Sequence, residues 1–351
     1  MSQVLTVIRP GETAPERFAR TLEAALEGRR AQVRPRLEGA LKDCRVLFAV
    51  SLDGSGVNPE FCALLAYLRT HPGCLRGCVG GILVDGEGDL YTKSAGRDLA
   101  LAASLAGCAF PGRPLVEAVG DLRNFTVQAK NAMCSLEEAY RRAAADLARR
   151  VLDFAPPRRR RPRLLALHAS SRPTSNTLAL WSRCRRRLEA GCDITEIGLR
   201  NGALTDCAGC PYTACLHFGE REDCFYGGVM VEEVYPAIRA ADGVVLLCPN
   251  YNDALPANLT AAINRLTALY RTAPFEDTAV FAIVVSGYSG GDIVASQVVS
   301  AMNMNKGFWL PPGFCMLETA NDAGTAVRLP GIGERLETFS GNILEQLLEK
   351  N

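Results

Sequence analysis

The sequence predicts an α/β protein with two domains, each built on a doubly wound parallel sheet. Short β-branched or leucine-rich runs alternate with amphipathic helical stretches along the 351 residues, which is the pattern of parallel strands joined by crossover helices. At roughly 150 residues per domain, this length corresponds to two domains. Between them lies PPRRRRPR, a proline-bracketed run with five arginines, which predicts a basic linker at 156–163. We expect domains at 1–155 and 164–351.

The second half is assigned element by element. Short apolar runs bounded by turn residues predict strands, and longer runs with apolar residues three or four apart predict helices. The predicted strands are RLLALHAS, DITEIGL, DGVVLLCPN and AVFAIVVSG. The predicted helices are NTLALWSRCRRRLEA, GVMVEEVYPAIRAA, NLTAAINRLTALYR, DIVASQVVSAM and GNILEQLLEK.

The first half resembles the second. The segment that starts at Arg45 pairs without a gap with the segment that starts at Arg163, and this pairing aligns Asn58 with Asn176. A second pairing aligns the segments from Gly80 and Asp242. Two strand–helix units in the same order predict a duplicated fold. The alternative is that any two strand–helix units look alike.

Composition excludes several classes of protein. A net charge of +1, with 48% apolar and 22% charged residues, is typical of globular domains and unlike a disordered or nucleic-acid-coating chain. The first residues lack the basic head and apolar stretch of a secretory signal. No uncharged apolar run approaches the roughly 18 residues of a membrane helix. We expect a cytoplasmic protein with reduced thiols and with neither a nucleic acid nor a membrane as partner.

The loop ASSRPTSNT, at 169–177, is a candidate phosphate site. It carries hydroxyls, an arginine and an asparagine at the start of a predicted helix, where backbone N–H groups and the helix dipole favour an anion. Arg172 would add a charge-assisted contact. The alternative is that the hydroxyls only cap the helix. The candidate ligands are Ser170, Arg172, Ser175, Asn176 and Thr177.

Three segments carry a family resemblance: SSRPTSNT, then CAGCPYTAC, then ADGVVLLCPNYNDALPANLTAAINRL. In this order they resemble the NADPH-dependent FMN reductase group of flavodoxin-like proteins, which includes the iron–sulfur flavoproteins. The resemblance covers about 163–345. It implies that the first loop binds the FMN phosphate and that a later loop lies along the isoalloxazine ring. The implied ring contacts are Pro249, Asn250, Tyr251 and Asn252, with Gly287, Tyr288 and Gly290 in a covering loop.

The resemblance implies an NAD(P)H-dependent flavin oxidoreductase. Its partners would be a nicotinamide and a small electron acceptor such as a quinone, a flavin or a nitro compound. In the first half, the loop matched to the phosphate site carries Asp53, whose carboxylate would repel a phosphate. We therefore expect the first domain to be a degenerate flavodoxin-like copy, with one FMN per chain in the second domain. Homodimers are usual in the family, and the first half is also a candidate to replace a second subunit.

Four cysteines, Cys207, Cys210, Cys215 and Cys224, lie within 18 residues, spaced C-x2-C-x4-C-x8-C. Four close thiols suggest a soft-metal or iron–sulfur site. A [4Fe–4S] cluster and metal-free thiols are the two leading interpretations, with zinc behind both. With a cluster, the protein would be an iron–sulfur flavoprotein that carries electrons to protein partners.

A different reaction class is suggested by GYSGG, which places Ser289 in the G-x-S-x-G pattern of a hydrolase nucleophile. Such a serine needs a histidine base that follows it in the chain. All three histidines precede Ser289. A glycine-rich loop over a flavin is therefore the better interpretation.

Overall fold

The computed structural model describes residues 4–11, 14–170 and 174–349. The chain divides into two compact units, 1–155 and 156–351. Each unit is built on a five-stranded, wholly parallel sheet. In the part of the chain so described, no helix is both long enough and apolar enough to cross a lipid bilayer.

In the first unit the strand order is β2-β1-β3-β4-β5. The central strands are buried on both faces, as expected where helices cover both sides of a parallel sheet. The strands are β1 (Leu5–Ile8), β2 (Ala31–Arg34), β3 (Arg45–Leu52), β4 (Val79–Gly86) and β5 (Leu115–Ala118). The helices are α1 (Glu16–Leu26), α2 (Pro59–Thr70), α3 (Thr92–Leu105), α4 (Thr126–Ala132) and α5 (Leu136–Asp153).

An ion pair joins α1 to the end of β4 in the first unit. The Arg17 guanidinium donates two hydrogen bonds to the Asp85 carboxylate, at 2.6 and 3.1 Å. It also donates to the Gly120 carbonyl at 2.6 Å, in the loop after β5. The Asp85 side chain is 2% exposed, so Arg17 neutralises a carboxylate that has almost no access to water.

In the second unit the strand order is β7-β6-β8-β9-β10. The strands are β6 (Arg163–His168), β7 (Asp193–Gly198), β8 (Gly243–Pro249), β9 (Ala279–Ser286) and β10 (Cys315–Thr319). The helices are α6 (Asn176–Leu188), α7 (Tyr212–Gly219), α8 (Tyr235–Ala240), α9 (Ala257–Tyr270), α10 (Gly291–Val298) and α11 (Ile332–Leu347). A π-helical segment, Met230–Val234, precedes α8, and another, Val299–Asn305, continues α10.

The two units share one topology. Counted in chain order, the strands of each unit lie in the order 2-1-3-4-5, which is the flavodoxin-like order. This confirms the predicted fold class and the tandem domains. The predicted internal pairing is wrong by position, because Arg45 starts the third strand of its unit whereas Arg163 starts the first. Buried parallel strands have similar compositions, so the pairing matched two strand–helix units that are not equivalent.

The segment predicted as a basic linker is bound to the second unit. The backbone N–H of Arg159 donates to the Leu347 carbonyl at 2.8 Å, and the Glu349 N–H donates to the Arg159 carbonyl at 3.0 Å. The Arg159 side chain pairs with Asp242, just before β8, and Arg161 pairs with Asp193 at the start of β7. These residues therefore belong to the amino-terminal edge of the second sheet.

Candidate functional site

The candidate site lies at the carboxyl edge of the second sheet. In this topology successive strands are added first on one side of β6 (β7) and then on the other (β8, β9 and β10), and ligands bind beside this switch point between β6 and β8. The loops that follow β6, β8, β9 and β10 all begin at this edge. Hydrogen bonds connect them into one surface.

Helix α6 begins where the first of these loops ends. Ser175 is the residue before the helix, and its Oγ accepts a hydrogen bond from the Leu178 N–H at 3.4 Å. The Ser175 and Thr177 hydroxyl oxygens are 2.9 Å apart. The first N–H groups of a helix have no acceptor within it, so they can bind an anion. Ser170 lies at the start of this loop, and Arg172 lies outside the described residues.

Asn176 connects this helix to the loop after β10. Its Nδ2 donates to the carbonyls of Ala320 and Asp322, at 3.1 and 2.9 Å, and its Oδ1 accepts from the Ala326 N–H at 3.1 Å. The side chain predicted to bind phosphate is therefore used in joining two loops. A contact from Asn176 to a phosphate would come from its backbone N–H.

The loop after β8 forms a tight turn. The Ala254 N–H donates to the Tyr251 carbonyl at 3.2 Å, and the two central residues, Asn252 and Asp253, have φ values of 54° and 56°. Two consecutive positive φ values define a type I′ turn, which asparagine and aspartate tolerate better than other non-glycine residues. Gln297 on α10 holds the turn by accepting from the Leu255 N–H and donating to the Asp253 carbonyl.

Asn250 joins this turn to the loop after β9. Its Nδ2 lies 3.0 to 3.1 Å from three acceptors: Asp253 Oδ1, Ser286 Oγ and the Ser289 carbonyl. Its Oδ1 is buried without a hydrogen-bond partner. Since a buried acceptor without a donor is costly, Asn250 is an under-satisfied group at the centre of the site.

Two tyrosines stand at the edge with their rings in solvent. Tyr251 is 62% exposed and Tyr288 is 82% exposed. Large aromatic side chains so exposed beside a glycine-rich loop are suited to contact a planar ring. Gly287 lies against Asn321 of the loop after β10, since a Cβ at Gly287 would be 3.1 Å from the Asn321 Oδ1.

Gly290 fits closely against the turn after β8. It has a φ of +80° and is the residue immediately before α10. A Cβ at this position would lie 2.0 Å from the Asp253 Oδ1 and 3.0 Å from the Asn250 Nδ2. Only glycine allows this approach, so the two predicted ring loops are in direct contact.

The sequence did not single out several residues that build this edge. The loop after β10, with Ala320, Asn321 and Asp322, was missed because β10 itself was not predicted. His168 was noted only as a histidine too early in the chain to assist Ser289. It ends β6, and its Nδ1 lies 2.9 Å from the Ser170 carbonyl.

The four clustered cysteines lie along α9 and away from the carboxyl edge. Asp206 accepts a hydrogen bond from Asn264, and the Arg265 guanidinium donates to the carbonyls of Thr205 and Gly227. Asn264 and Arg265 are about 10–12 Å along α9 from its first residue, at about 1.5 Å per residue. Among the described residues, which include Cys207, Cys210, Cys215 and Cys224, no group of three or more metal-ligating side chains is arranged to hold an ion.

Ser289 lacks the neighbours that a hydrolase nucleophile requires. None of the three histidines, all of them described, forms a hydrogen bond with it. His71 stacks on Tyr67 in the first unit, and His217 packs edge-on against Phe218. The Ser289 carbonyl accepts from Asn250, which fixes the loop instead.

The residues present fit FMN. A helix N-terminus with two hydroxyls lies after β6, a buried acceptor lies in the loop after β8, and two exposed tyrosines flank the same edge. The helix N-terminus suits a phosphate, and the buried acceptor suits the single N–H of the flavin ring system. The two tyrosines suit a planar ring. The fold and the site together define a flavodoxin-like flavin-binding domain.

The sequence comparison agrees with this class. Residues 162–322 match the family model described as NADPH-dependent FMN reductase. The match confirms the resemblance stated from the sequence and the predicted class of enzyme, an NAD(P)H-dependent FMN oxidoreductase. No curated protein matches the chain.

Solved structures of several reductases are similar to about half of the chain. An NAD(P)H:quinone oxidoreductase from Methanothermobacter marburgensis is 14% identical, with 54% of this chain and 100% of that chain covered and a TM-score of 0.40. A putative quinone reductase from Klebsiella pneumoniae is 16% identical over 52% of this chain and 83% of that chain, with a TM-score of 0.36. An NADH:FMN oxidoreductase in its apo form is 13% identical over 54% of this chain and 91% of that chain, with a TM-score of 0.37.

Proposed function

We propose that the second unit binds one FMN and passes electrons from NAD(P)H to a small acceptor such as a quinone, a flavin or a nitro compound. The observation that carries this proposal is the set of four joined loops at the edge beside β6 and β8, within the region that matches the family. When bound, FMN would supply the redox chemistry, a hydride acceptor for the nicotinamide and an electron donor for the acceptor.

The protein's part is binding and orientation. The start of α6, with Ser175 and Thr177, would bind the phosphate through N–H and hydroxyl groups. Asn250 would satisfy its buried Oδ1 with the ring N–H, while its Nδ2 holds the covering loop. Tyr251 and Tyr288 would pack on the ring and keep water from the face opposite the nicotinamide.

The test is FMN binding followed by turnover. We expect the purified chain to bind one equivalent of FMN and then to oxidise NADH or NADPH when a quinone is added. Asn250→Ser should weaken FMN binding by at least about tenfold, because it loses contacts to two loops and to the ring. The matched control is Asn305→Ser, which removes a local hydrogen bond to the Ser300 carbonyl outside the site. Absence of FMN binding by the unmodified chain would refute the proposal.

A second candidate is an iron–sulfur flavoprotein that carries electrons to protein partners. The observation that favours it is buried positive charge around the cysteines. Arg265 is 2% exposed, and no carboxylate pairs with it within the described residues. Burial lowers the pKa of Lys306, and negative charge on Cys207 and Cys215 would oppose this shift. A thiolate-ligated cluster is anionic and would neutralise both cations.

Anaerobic purification separates the two candidates. Iron and sulfide in equal amounts, near four per chain, together with an absorption band beyond that of the flavin, would support the [4Fe–4S] carrier. Flavin absorption alone, with turnover of NAD(P)H and a quinone, would support the reductase. Light scattering on the same sample would test the predicted homodimer.

A further inference from the structure

The side chain of His168 packs against a glycine on the neighbouring strand. It is the last residue of β6, and its register partner on β7 is Gly198. A Cβ at Gly198 would lie 3.1 Å from the His168 Cε1 and 3.4 Å from its Nε2. The imidazole therefore lies over the space left by the missing side chain, and it is only 12% exposed.

Both ring nitrogens of His168 have partners. The Nδ1 is 2.9 Å from the Ser170 carbonyl, which can only accept, so the Nδ1 carries a proton and donates. The Nε2 is 3.6 Å from the Glu196 Oε1 on β7. The imidazole thus lies between Ser170, near the start of the phosphate loop, and a carboxylate on the neighbouring strand.

Glu196 is itself held in place. Its Oε2 accepts from the Trp181 Nε1 at 2.8 Å and from the Arg185 guanidinium at 3.4 Å, both on α6. Trp181 is 1% exposed, so the donor that fixes this carboxylate is immobile. The groups that face His168 are therefore Glu196 from β7 and, through it, Trp181 and Arg185 from α6.

We propose that His168 is a positioning residue for the FMN phosphate, acting through the Ser170 carbonyl. A carbonyl at the start of this loop would repel a phosphate if it turned towards it, and the imidazole N–H holds it on the side of β7. The inference rests on the proposed function, since it concerns the same FMN site. It adds a residue that makes no contact with the cofactor.

The charge on the His168 imidazole should make the affinity for FMN depend on pH. When both nitrogens are protonated, the imidazolium compensates Glu196 as well as holding Ser170. When the proton is lost, the Glu196 carboxylate keeps the neutral Trp181 donor and the Arg185 guanidinium, but it loses the positive charge that lay between it and the phosphate loop. FMN affinity should therefore fall as His168 deprotonates.

The experiment compares FMN with riboflavin, which has the same ring system and no phosphate. His168→Leu should weaken FMN binding by about 5- to 10-fold, the equivalent of one hydrogen bond, and should leave riboflavin affinity within about twofold. His168→Asn keeps a donor near the Nδ1 position and should retain most of the FMN affinity. The control is His71→Asn, an exposed histidine in the first unit, which should change neither affinity.

The dependence of FMN affinity on pH is a second measurement, and a purely structural role of His168 would not change it. The ratio of FMN affinities, unmodified chain over His168→Asn, should fall towards one as the pH is raised, because only the unmodified chain has an imidazolium charge to lose at this position. Because both proteins bind the same phosphate, its own titration cancels in this ratio. Glu196→Gln should flatten the ratio.

The outcomes distinguish the two proposals. If the unmodified chain binds neither flavin, the proposed function fails. If it prefers FMN over riboflavin and His168→Leu keeps the same preference, the role of His168 is overturned. If His168→Leu does not fold, as judged by circular dichroism, the His168→Asn pH ratio decides alone, and a ratio independent of pH would refute the inference.

Discussion

Two asparagine side chains each connect two segments of the site by hydrogen bonds. Asn176 connects the start of α6 to the loop after β10, and Asn250 connects the loops after β8 and β9. An amide donates and accepts at once, so a single side chain satisfies backbone groups on two segments. The edge is therefore rigid without bringing negative charge against a phosphate.

Removing the Asn176 amide tests this connection. Asn176→Ala should lower the free energy of unfolding of the second unit by about 1–3 kcal/mol, because two carbonyls and one N–H lose their partner. Urea unfolding measures the change. Asn305→Ala is the control, with one local hydrogen bond, and an equal loss in both variants would contradict the role of Asn176.

Alanine substitutions at the adjacent Gly290 and Gly291 test the contact between the loops after β8 and β9. Gly290→Ala should displace the turn after β8 and weaken FMN binding, because its φ is +80° and its Cβ would meet the Asp253 Oδ1 at 2.0 Å. Gly291→Ala should be tolerated at the same site, since its Cβ would be 3.4 Å from the Ser286 Oγ, an ordinary contact. A flavin titration of both variants is the measurement, and equal affinities would show that the two loops do not need this contact.

The cysteines should differ sharply in reactivity. Burial raises the pKa of Cys184 and of Cys315 to about 12. Since the reactive form is the thiolate, a higher pKa leaves almost none of it at pH 8. Iodoacetamide at pH 8 should therefore label the exposed Cys62 and Cys207 first, as read by mass spectrometry. Labelling of Cys184 or Cys315 at the same rate in the folded protein would contradict this burial.

Among the elements, α1 is linked to β4 by the ion pair of Arg17 with Asp85. Arg17→Met should destabilise the first unit by about 3 kcal/mol, because it leaves the Asp85 carboxylate buried without its partner. Adding Asp85→Leu to Arg17→Met should recover much of the loss, since no buried charge then remains. Arg20→Met, which removes an exposed pair with Glu16, should cost less than about 1 kcal/mol. Similar losses for Arg17 and Arg20 in urea unfolding would rule out this account.

Long periodic elements of the second unit were predictable from the sequence, and short or irregular ones were not. Strands β8 and β9 are continuous apolar runs and match their prediction. The edge strand β10 was missed because CMLET is only five residues and carries Glu318, whose buried carboxylate is paired with Arg335. The predicted helix DIVASQVVSAM is α10 continued by a π-helical segment, a change of hydrogen-bond spacing that composition does not signal.

For the site, the loops after β6, β8 and β9 were predictable because each follows an apolar run and carries turn residues. The joining roles of Asn176 and His168 were not predictable, since their partners are distant in sequence: the loop after β10 for Asn176 and β7 for His168. The position of the four clustered cysteines was not predictable either. A loop after a strand is expected at the carboxyl edge, but Arg265 and Asn264 hold this one along α9.

At the scale of the whole chain, we expect one FMN. In the first unit the position equivalent to the start of α6 is the start of α1, which follows Pro15, has no side-chain cap and carries Glu16 in its first turn. This replaces the explanation from Asp53, whose loop follows the third strand and is not equivalent to the phosphate loop. An acidic first turn disfavours a phosphate.

Separate expression of the two units tests that stoichiometry. Residues 156–351 should bind one equivalent of FMN, and residues 1–155 should bind none, as measured by absorbance after gel filtration. Each fragment contains a complete five-stranded sheet. Two equivalents in the intact chain, or FMN retained by the first fragment, would contradict the prediction.

The arginine run at 158–161 has a consequence for proteolysis. Trypsin cuts after arginine, and a run of four at the boundary of two units would ordinarily be its first target. Here the backbone of Arg159 pairs with Leu347 and Glu349, so the run cannot enter a protease cleft until the end of α11 has come away. The rate of tryptic cleavage at this boundary therefore reports how firmly the last helix of the chain holds its place.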